Sequence, residues 1–407
     1  MNLFRFLITS PRFLAFGFLI ALFSSFGQTF FISLSGAEIR AAFGLSHGEF
    51  GSIYAAGTLS SAILLIWAGR KIDDVDLRPY TSIICFGLAL ACLGMANVGS
   101  AIWLFPVIFA LRFTGQGLMS HISTVAMARY FDAHRGKAIS IASMGYPVGE
   151  AIIPFIAVSL IATIGWREMW TGIGIVLAAG LVPLVLWLLK GHSERHRRLE
   201  EESLSAVESG ASRVGWSRRQ VLRDPRFYVL LPNYLAASFV GTGFFFHQVH
   251  LVESKGWDLS WFAATFVAYA IGQVVAALAT GILVDRYNAL RMMRFELLPI
   301  IVALLVLAMF NDPLIAILFM FFIGMTSGAT AVTHGAIWAE IYGVAHLGAI
   351  KALGSALMVL GSALSPPIMG WAIDAGVTME AIAIGCAIYS GVAIFLVTFV
   401  YPRMKKP

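Results

Sequence analysis

Within Leu111–Pro154 the sequence reads as two apolar helices joined by a basic loop, with Arg112 inside the first helix and Glu150 inside the second. An ionised side chain within an apolar span costs several kcal/mol unless it is paired, wetted or neutralised, so each residue implies work to be done. Both lie about 15 residues from the shared loop, and at ~1.5 Å per residue they reach similar depth, which predicts a salt bridge. The chemistry of such a pair is exchange. With Glu150 protonated, Arg112 is released to hold an anion; with Glu150 ionised, its carboxylate competes with that anion for the same guanidinium. The alternative is a permanent buried pair that only fixes helix packing.

Other polar side chains fall on helical stripes that point to a cavity. Gln116, Met119 and Ser123 share the Arg112 face, and His121 lies on the opposite one. Ser143, Tyr146, Pro147 and Pro154 share the Glu150 stripe. Elsewhere Ser24 and Gln28, Tyr234 and Ser238, Trp261, Thr265, Tyr269 and Gln273, and Thr326, Thr330, Thr333 and His334 form further stripes. A lone Ser or Thr more often bonds its own helix. Gln28 and Gln273 are stronger candidates, because a primary amide needs partners that one helix seldom supplies. His247 and His334 are open to three roles: proton acceptor, anion ligand or packed neutral ring.

The elements that position these groups follow from composition. The 407 residues are 59% hydrophobic and 12% charged, which excludes a soluble globule. Apolar runs long enough to cross a bilayer recur along the whole chain: 12–35, 49–69, 79–98, 102–128, 138–164, 168–190, 227–250, 260–284, 292–311, 314–339, 349–373 and 379–401. Short alternating segments of a barrel are absent, so the expected fold is all-α, with twelve transmembrane helices. Of the 28 lysines and arginines, Arg40, Arg167 and Lys255 fall on one side and Arg112 in a span, while the rest fall on the other. That asymmetry predicts a multi-pass protein of the cell membrane (the inner membrane in a Gram-negative source) with both termini cytoplasmic and an uncleaved first helix. The net charge of +6 is therefore topological, and its dispersal over many loops argues against a nucleic-acid partner. The expected partners are the lipid bilayer, protons and a small-molecule substrate, and the chain is expected to be a monomer.

The polar stretch 191–224 separates an N-terminal six-helix bundle, 1–190, from a C-terminal one, 225–407. Its His192 and His196 have i, i+4 spacing but sit in a charged run without further ligands, so no metal is expected. Cys85, Cys92 and Cys386 have neither metal nor redox spacing and read as small buried apolar side chains. At a nearly constant shift Gly69 aligns with Gly281, Asp73 with Asp285, His134 with His346, Gly149 with Gly361 and Pro154 with Pro366. Two six-helix halves in parallel repeat are the layout of a carrier that rocks one bundle against the other around a midplane site.

Gly281-Ile282-Leu283-Val284-Asp285-Arg286-Tyr287-Asn288 resembles the G-x-L-x-D-R-x-G loop of the major facilitator superfamily, and Gly69-Arg70-Lys71-Ile72-Asp73-Asp74 resembles its partner copy. The first copy departs from the pattern at Lys71, Asp74 and Asp76. The resemblance implies that Gly69, Asp73, Gly281, Asp285 and Arg286 belong to gating loops. Arg112-Phe113 with Gly115 and Gly117 is similar to the span-four arginine motif of proton-coupled members. Gly136, Gly145 and Gly149 match the opening of the antiporter signature G-x8-G-x3-G-P, with Glu150 in place of its proline.

The resulting expectation is a secondary active transporter that moves a small organic anion, such as a monocarboxylate, together with protons by alternating access. It is similar to bacterial monocarboxylate and oxalate/formate carriers, although 260–284 holds no basic residue before the loop and Lys351 stands only at the start of the eleventh span. The alternatives are proton-driven efflux of amphipathic drugs and a non-transporting sensor on the same fold. No phosphate-binding G-x-x-x-x-G-K-[ST] loop, H-E-x-x-H or G-x-S-x-G occurs, so ATP is not the direct energy source, no cofactor is expected and an enzyme is not expected.

Overall fold

A computed structural model describes residues 10–69, 71–131, 134–192, 215–344 and 346–404, the side chains of residues 73 and 74 excepted. Helices dominate it, and the one strand-type pairing among the described residues is a bridge between Gly215 and Gly343. The first span is a pair of arms, Pro11–Gly27 and Thr29–Phe43, bent by 45° (α1). It is followed by α2 (His47–Ala68), α3 (Leu77–Ala96), α4 (Ala101–Tyr130), α5 (Arg135–Ile164) and α6 (Trp166–Leu188). Then come α7 (Pro225–Phe246), α8 (Leu259–Tyr287), α9 (Leu298–Met309), α10 (Ile315–Tyr342), α11 (Leu347–Asp374) and α12 (Met379–Arg403). Ten of these are long and apolar enough to cross a membrane, the bent pair makes an eleventh, and the shorter apolar α9 stands at the remaining expected position. The expected series of twelve is met.

Large apolar side chains are turned outward as well as inward. Ile63, Trp67, Ile83, Ile102, Trp103, Leu278, Ile282 and Ile388 are all more than half exposed. Such a surface is stable only against lipid. Contacts divide the chain into two units, Met1–Leu45 with Ile53–Gly210 and Ser46–Ser52 with Ala211–Pro407. The three cysteines are buried.

One feature of the polar stretch between the spans differs from the expectation. His192 is 2% exposed rather than solvated: its ring stacks on Phe13 at 5.4 Å and meets Tyr130 edge-on at 4.6 Å. The chain turns back after α6, which carries the imidazole onto the first helix. His196 lies outside the described residues.

In the second unit, residues 215–224 are folded. The Trp216 amide donates to the Tyr342 carbonyl at 2.9 Å, and Ser217 and Gln220 form a capping box. Asp224 then caps α7 and takes a two-pronged contact from Arg226, 3.1 Å from Nε and 2.9 Å from Nη2, with the Tyr342 hydroxyl at 3.1 Å. Burial alone would raise the Asp224 carboxyl, but the hydrogen bonds from Arg226 and Tyr342 outweigh it and hold it below the ordinary carboxylate range. Its stabilisation is therefore complete above the unfolded value of about 3.9 and is lost as pH falls through the lower folded one. Asp224→Asn leaves Arg226 buried without its countercharge and is expected to cost about 3 kcal/mol. The gap in unfolding temperature between the two proteins should be full at neutral pH and should narrow below pH of about 4, as followed by tryptophan fluorescence.

Candidate functional sites

The first unit is organised by two backbones that touch. The series Ser24-Ser25-Phe26-Gly27 is a poor helix former, and α1 breaks there, with Gln28 extended at φ −82° and ψ 155°. Opposite the break, α4 widens into a π-helical stretch over Arg112–Met119, where Gly115 and Gly117 weaken the regular ladder. A Cβ on Gly27 would lie 2.6 Å from the Gln116 amide nitrogen and 2.7 Å from the Gly115 Cα, and would also strike the Leu111 carbonyl. Only two glycines permit this approach.

The contact seats Arg112. Its Nη1 donates to the Gly27 carbonyl at 3.1 Å and to Thr29 Oγ1 at 3.4 Å, and the guanidinium lies over the Tyr54 ring at 5.2 Å. Thr29 and Tyr54 are hydrogen-bonded to each other at 2.6 Å. The break in α1 exposes a carbonyl that the helix no longer uses, and the arginine takes it. Arg112 is 4% exposed, and its Nε is enclosed without a hydrogen-bond partner among the described residues.

The expected Arg112–Glu150 salt bridge is not formed. Arg112 instead points at α1 and α2, where its partners Gly27, Thr29 and Tyr54 lie. The α4–α5 link is made by Tyr146, whose hydroxyl lies 3.5 Å from the Ser120 carbonyl. Glu150 is half-buried one turn further on, and its Oε2 is enclosed with no hydrogen-bond partner among the described residues. Gly145 and Gly149 serve packing: a Cβ on Gly149 would lie 2.5 Å from Ser25 Oγ. Gln28 and Gln116 are both half-buried at the contact of α1 with α4. His121, as expected, faces elsewhere, with Nε2 3.1 Å from the Gly69 carbonyl.

The second unit gathers three sequence candidates and adds one that was missed. Tyr269 and Gln273 on α8 both reach Ser327 on α10, at 3.1 and 3.2 Å. Ser327 lines a cavity of about 360 Å³ with Tyr234, Thr330, His334, Lys351 and Ser355. The His334 ring stacks on Tyr234 at 4.1 Å, and its Nε2 lies 3.5 Å from Oε1 of Glu296. Glu296 is 4% exposed and its other oxygen accepts from Thr333. It was missed because it stands at the edge of a span beside Arg294, where it reads as a loop charge. His247 is not part of this group; its Nε2 meets the Pro366 carbonyl at 2.9 Å.

The two expected gating loops differ. Gly69 is buried against α4, and Arg129 donates to the nearby Ile72 carbonyl at 3.0 Å. The side chain of Asp73 lies outside the described residues. In the second copy Asp285 and Arg286 are exposed, Gly281 has no close neighbour, and Asn288, where the pattern ends in glycine, has φ 73°.

Two six-span units with polar groups held inside apolar helices define a polytopic membrane carrier fold. The model of the Major Facilitator Superfamily matches residues 17–310 and 248–407, and the chain belongs to that superfamily. It is 25% identical over 266 residues to the "Probable sulfoacetate transporter SauU" of Cupriavidus necator, covering 63% of this chain and 60% of that protein. It is 26% identical over 203 residues to the "Gallate transporter" of Pseudomonas putida, covering 49% and 43%. The matches thus span about half of those relatives' lengths. Its fold is similar to that of a bacterial homolog of the human lysosomal transporter Spinster, with TM-score 0.66, 16% identity and 96% of both chains covered. It is likewise similar to the nucleoside transporter NupG, with TM-score 0.66, 15% identity and 100% of both chains covered.

Because backbone meets backbone at Gly27, Gly27→Val is expected to lower stability by at least ~1–3 kcal/mol, the range for overpacking. Gly99→Ala, where a Cβ meets nothing within 4 Å, should leave it unchanged. Thermal unfolding in detergent reads both.

Proposed function

We propose that the protein is a secondary active transporter of a small organic anion, such as a monocarboxylate, coupled to protons. The observation that carries this reading is the arrangement of Arg112: a buried guanidinium whose recorded partners, Gly27, Thr29 and Tyr54, are all neutral. Nη1 is used by those partners, while the adjacent Nε lacks one. The Nε and Nη2 edge of a guanidinium is the fork that matches a carboxylate or sulfonate with two parallel hydrogen bonds. An orphaned buried donor costs about 1–3 kcal/mol, which an incoming acid group would recover. The transporters to which the chain is similar are named for sulfoacetate and gallate, both organic acids.

Glu150 is the proposed proton carrier. Ionised, its enclosed Oε2 is a buried charge with no donor; protonated, it has no charge to bury. Coupling then acts through the charge of the first unit rather than through partner exchange with Arg112. The orientation that follows from the loop charges places both termini in the cytoplasm, and the protein works in the cell membrane as a monomer.

Counterflow of labelled gallate and sulfoacetate into proteoliposomes tests the reading. Arg112→Gln should reduce counterflow by at least ~100-fold, and Arg112→Lys should recover little of it, because an ammonium lacks the fork. Undiminished counterflow in Arg112→Gln would remove the anion assignment. Glu150→Gln should abolish acceleration by an imposed pH gradient while sparing exchange; an unchanged response to the gradient would exclude Glu150 from coupling.

A further inference from the structure

We propose that the cavity of the second unit is itself an acid-binding site, taking a carboxylate or sulfonate group on Lys351 and Ser327, and that the Glu296–His334 pair takes up a proton when the site fills. The inference rests on the organic-anion reading above, but it concerns different residues.

Ser327 supplies the first argument. Its oxygen accepts from the Tyr269 hydroxyl and the Gln273 amide, which uses both lone pairs. The hydroxyl proton has no recorded acceptor among the described residues, and Ser327 lines the cavity, so that proton is a donor for whatever enters. Lys351 lies on the wall of the same cavity, exposed and without a recorded ion pair among the described residues. A hydroxyl donor on α10 and an ammonium on α11, with Tyr234 and Ser355 lining the same cavity, form a polar wall suited to an acid group.

The second argument is the pair behind that wall. His334 lines the cavity and faces Glu296 at 3.5 Å, too far for a good hydrogen bond, and both Glu296 Oε1 and His334 Nε2 are enclosed without one. The charged or titratable groups around His334 are Glu296 from the segment before α9, Tyr234 from α7 and Lys351 from α11; α8 contributes the neutral Tyr269 and Gln273. Lys351 and Glu296 are of opposite formal charge. An acid entering beside Lys351 adds a negative charge, and protonation of the imidazole offsets it. Anion and proton are thus bound together, and by reciprocity each tightens the other.

Titration calorimetry of the purified full-length protein with gallate and with sulfoacetate, in two buffers of different ionisation enthalpy, reads affinity and proton uptake together. The wild type is expected to take up close to one proton per acid at neutral pH. Lys351→Met should weaken binding about tenfold or more, the loss of a single charged hydrogen bond, with Lys351→Arg restoring it. His334→Gln and Glu296→Gln should bind with proton uptake near zero. Proton uptake unchanged in both of these, or affinity unchanged in Lys351→Met, overturns the inference and leaves the Arg112 reading standing. Failure of the wild type to bind either acid overturns both. Size-exclusion profiles matching the wild type exclude misfolding as the cause of a loss.

Discussion

The first unit depends on one close approach, the passage of the Gly27 backbone against the Gly115 backbone. It breaks α1, widens α4 and delivers a buried guanidinium to a carbonyl released by the break. Each part requires the others. A regular α1 would keep its carbonyls within the helix, and a regular α4 would turn Arg112 by a different angle. Side chains larger than hydrogen at either glycine would hold the two helices apart. Among the described residues, the recorded partners that offset the cost of this charge inside an apolar bundle are dipoles and an aromatic face.

The second unit solves a related problem differently. Its histidine is faced by a carboxylate from another segment, and its serine collects two donors so that its own proton is left to point into a cavity. The two units are built from similar sequence, yet the charged chemistry is not repeated: at the repeat shift Arg112 aligns with Gly324 and Glu296 with Ile84. A repeated scaffold thus carries unlike polar groups in its two copies.

Much of this was legible in the sequence. Hydropathy located most of the helices to within a few residues, because a bilayer imposes a length and a composition that few other environments do; the first span runs on past its break to Phe43, and the ninth helix begins only at Leu298. The repeat and the loop pattern around Asp285 pointed to the superfamily. Gln273, Tyr269 and His334, which the structure brings close to Ser327 and its cavity, stood out as polar side chains on apolar stripes. Three things were hidden for physical reasons. Helical spacing assumes 3.6 residues per turn, so the π-helical stretch after Arg112 misdirected the expected salt bridge. Glu296 belongs to no apolar stripe, and its burial depends on packing against α10. His192 looked solvated because its neighbours in sequence are charged, whereas its neighbours in space are Phe13 and Tyr130.

The account stands on Arg112 being the seat of an acid group, and a structure determined with saturating gallate tests that most directly. The carboxylate is expected within hydrogen-bond distance of Arg112 Nε and Nη2, with Nη1 still on the Gly27 carbonyl. An acid bound elsewhere, with the Arg112 Nε still unpartnered, would contradict it.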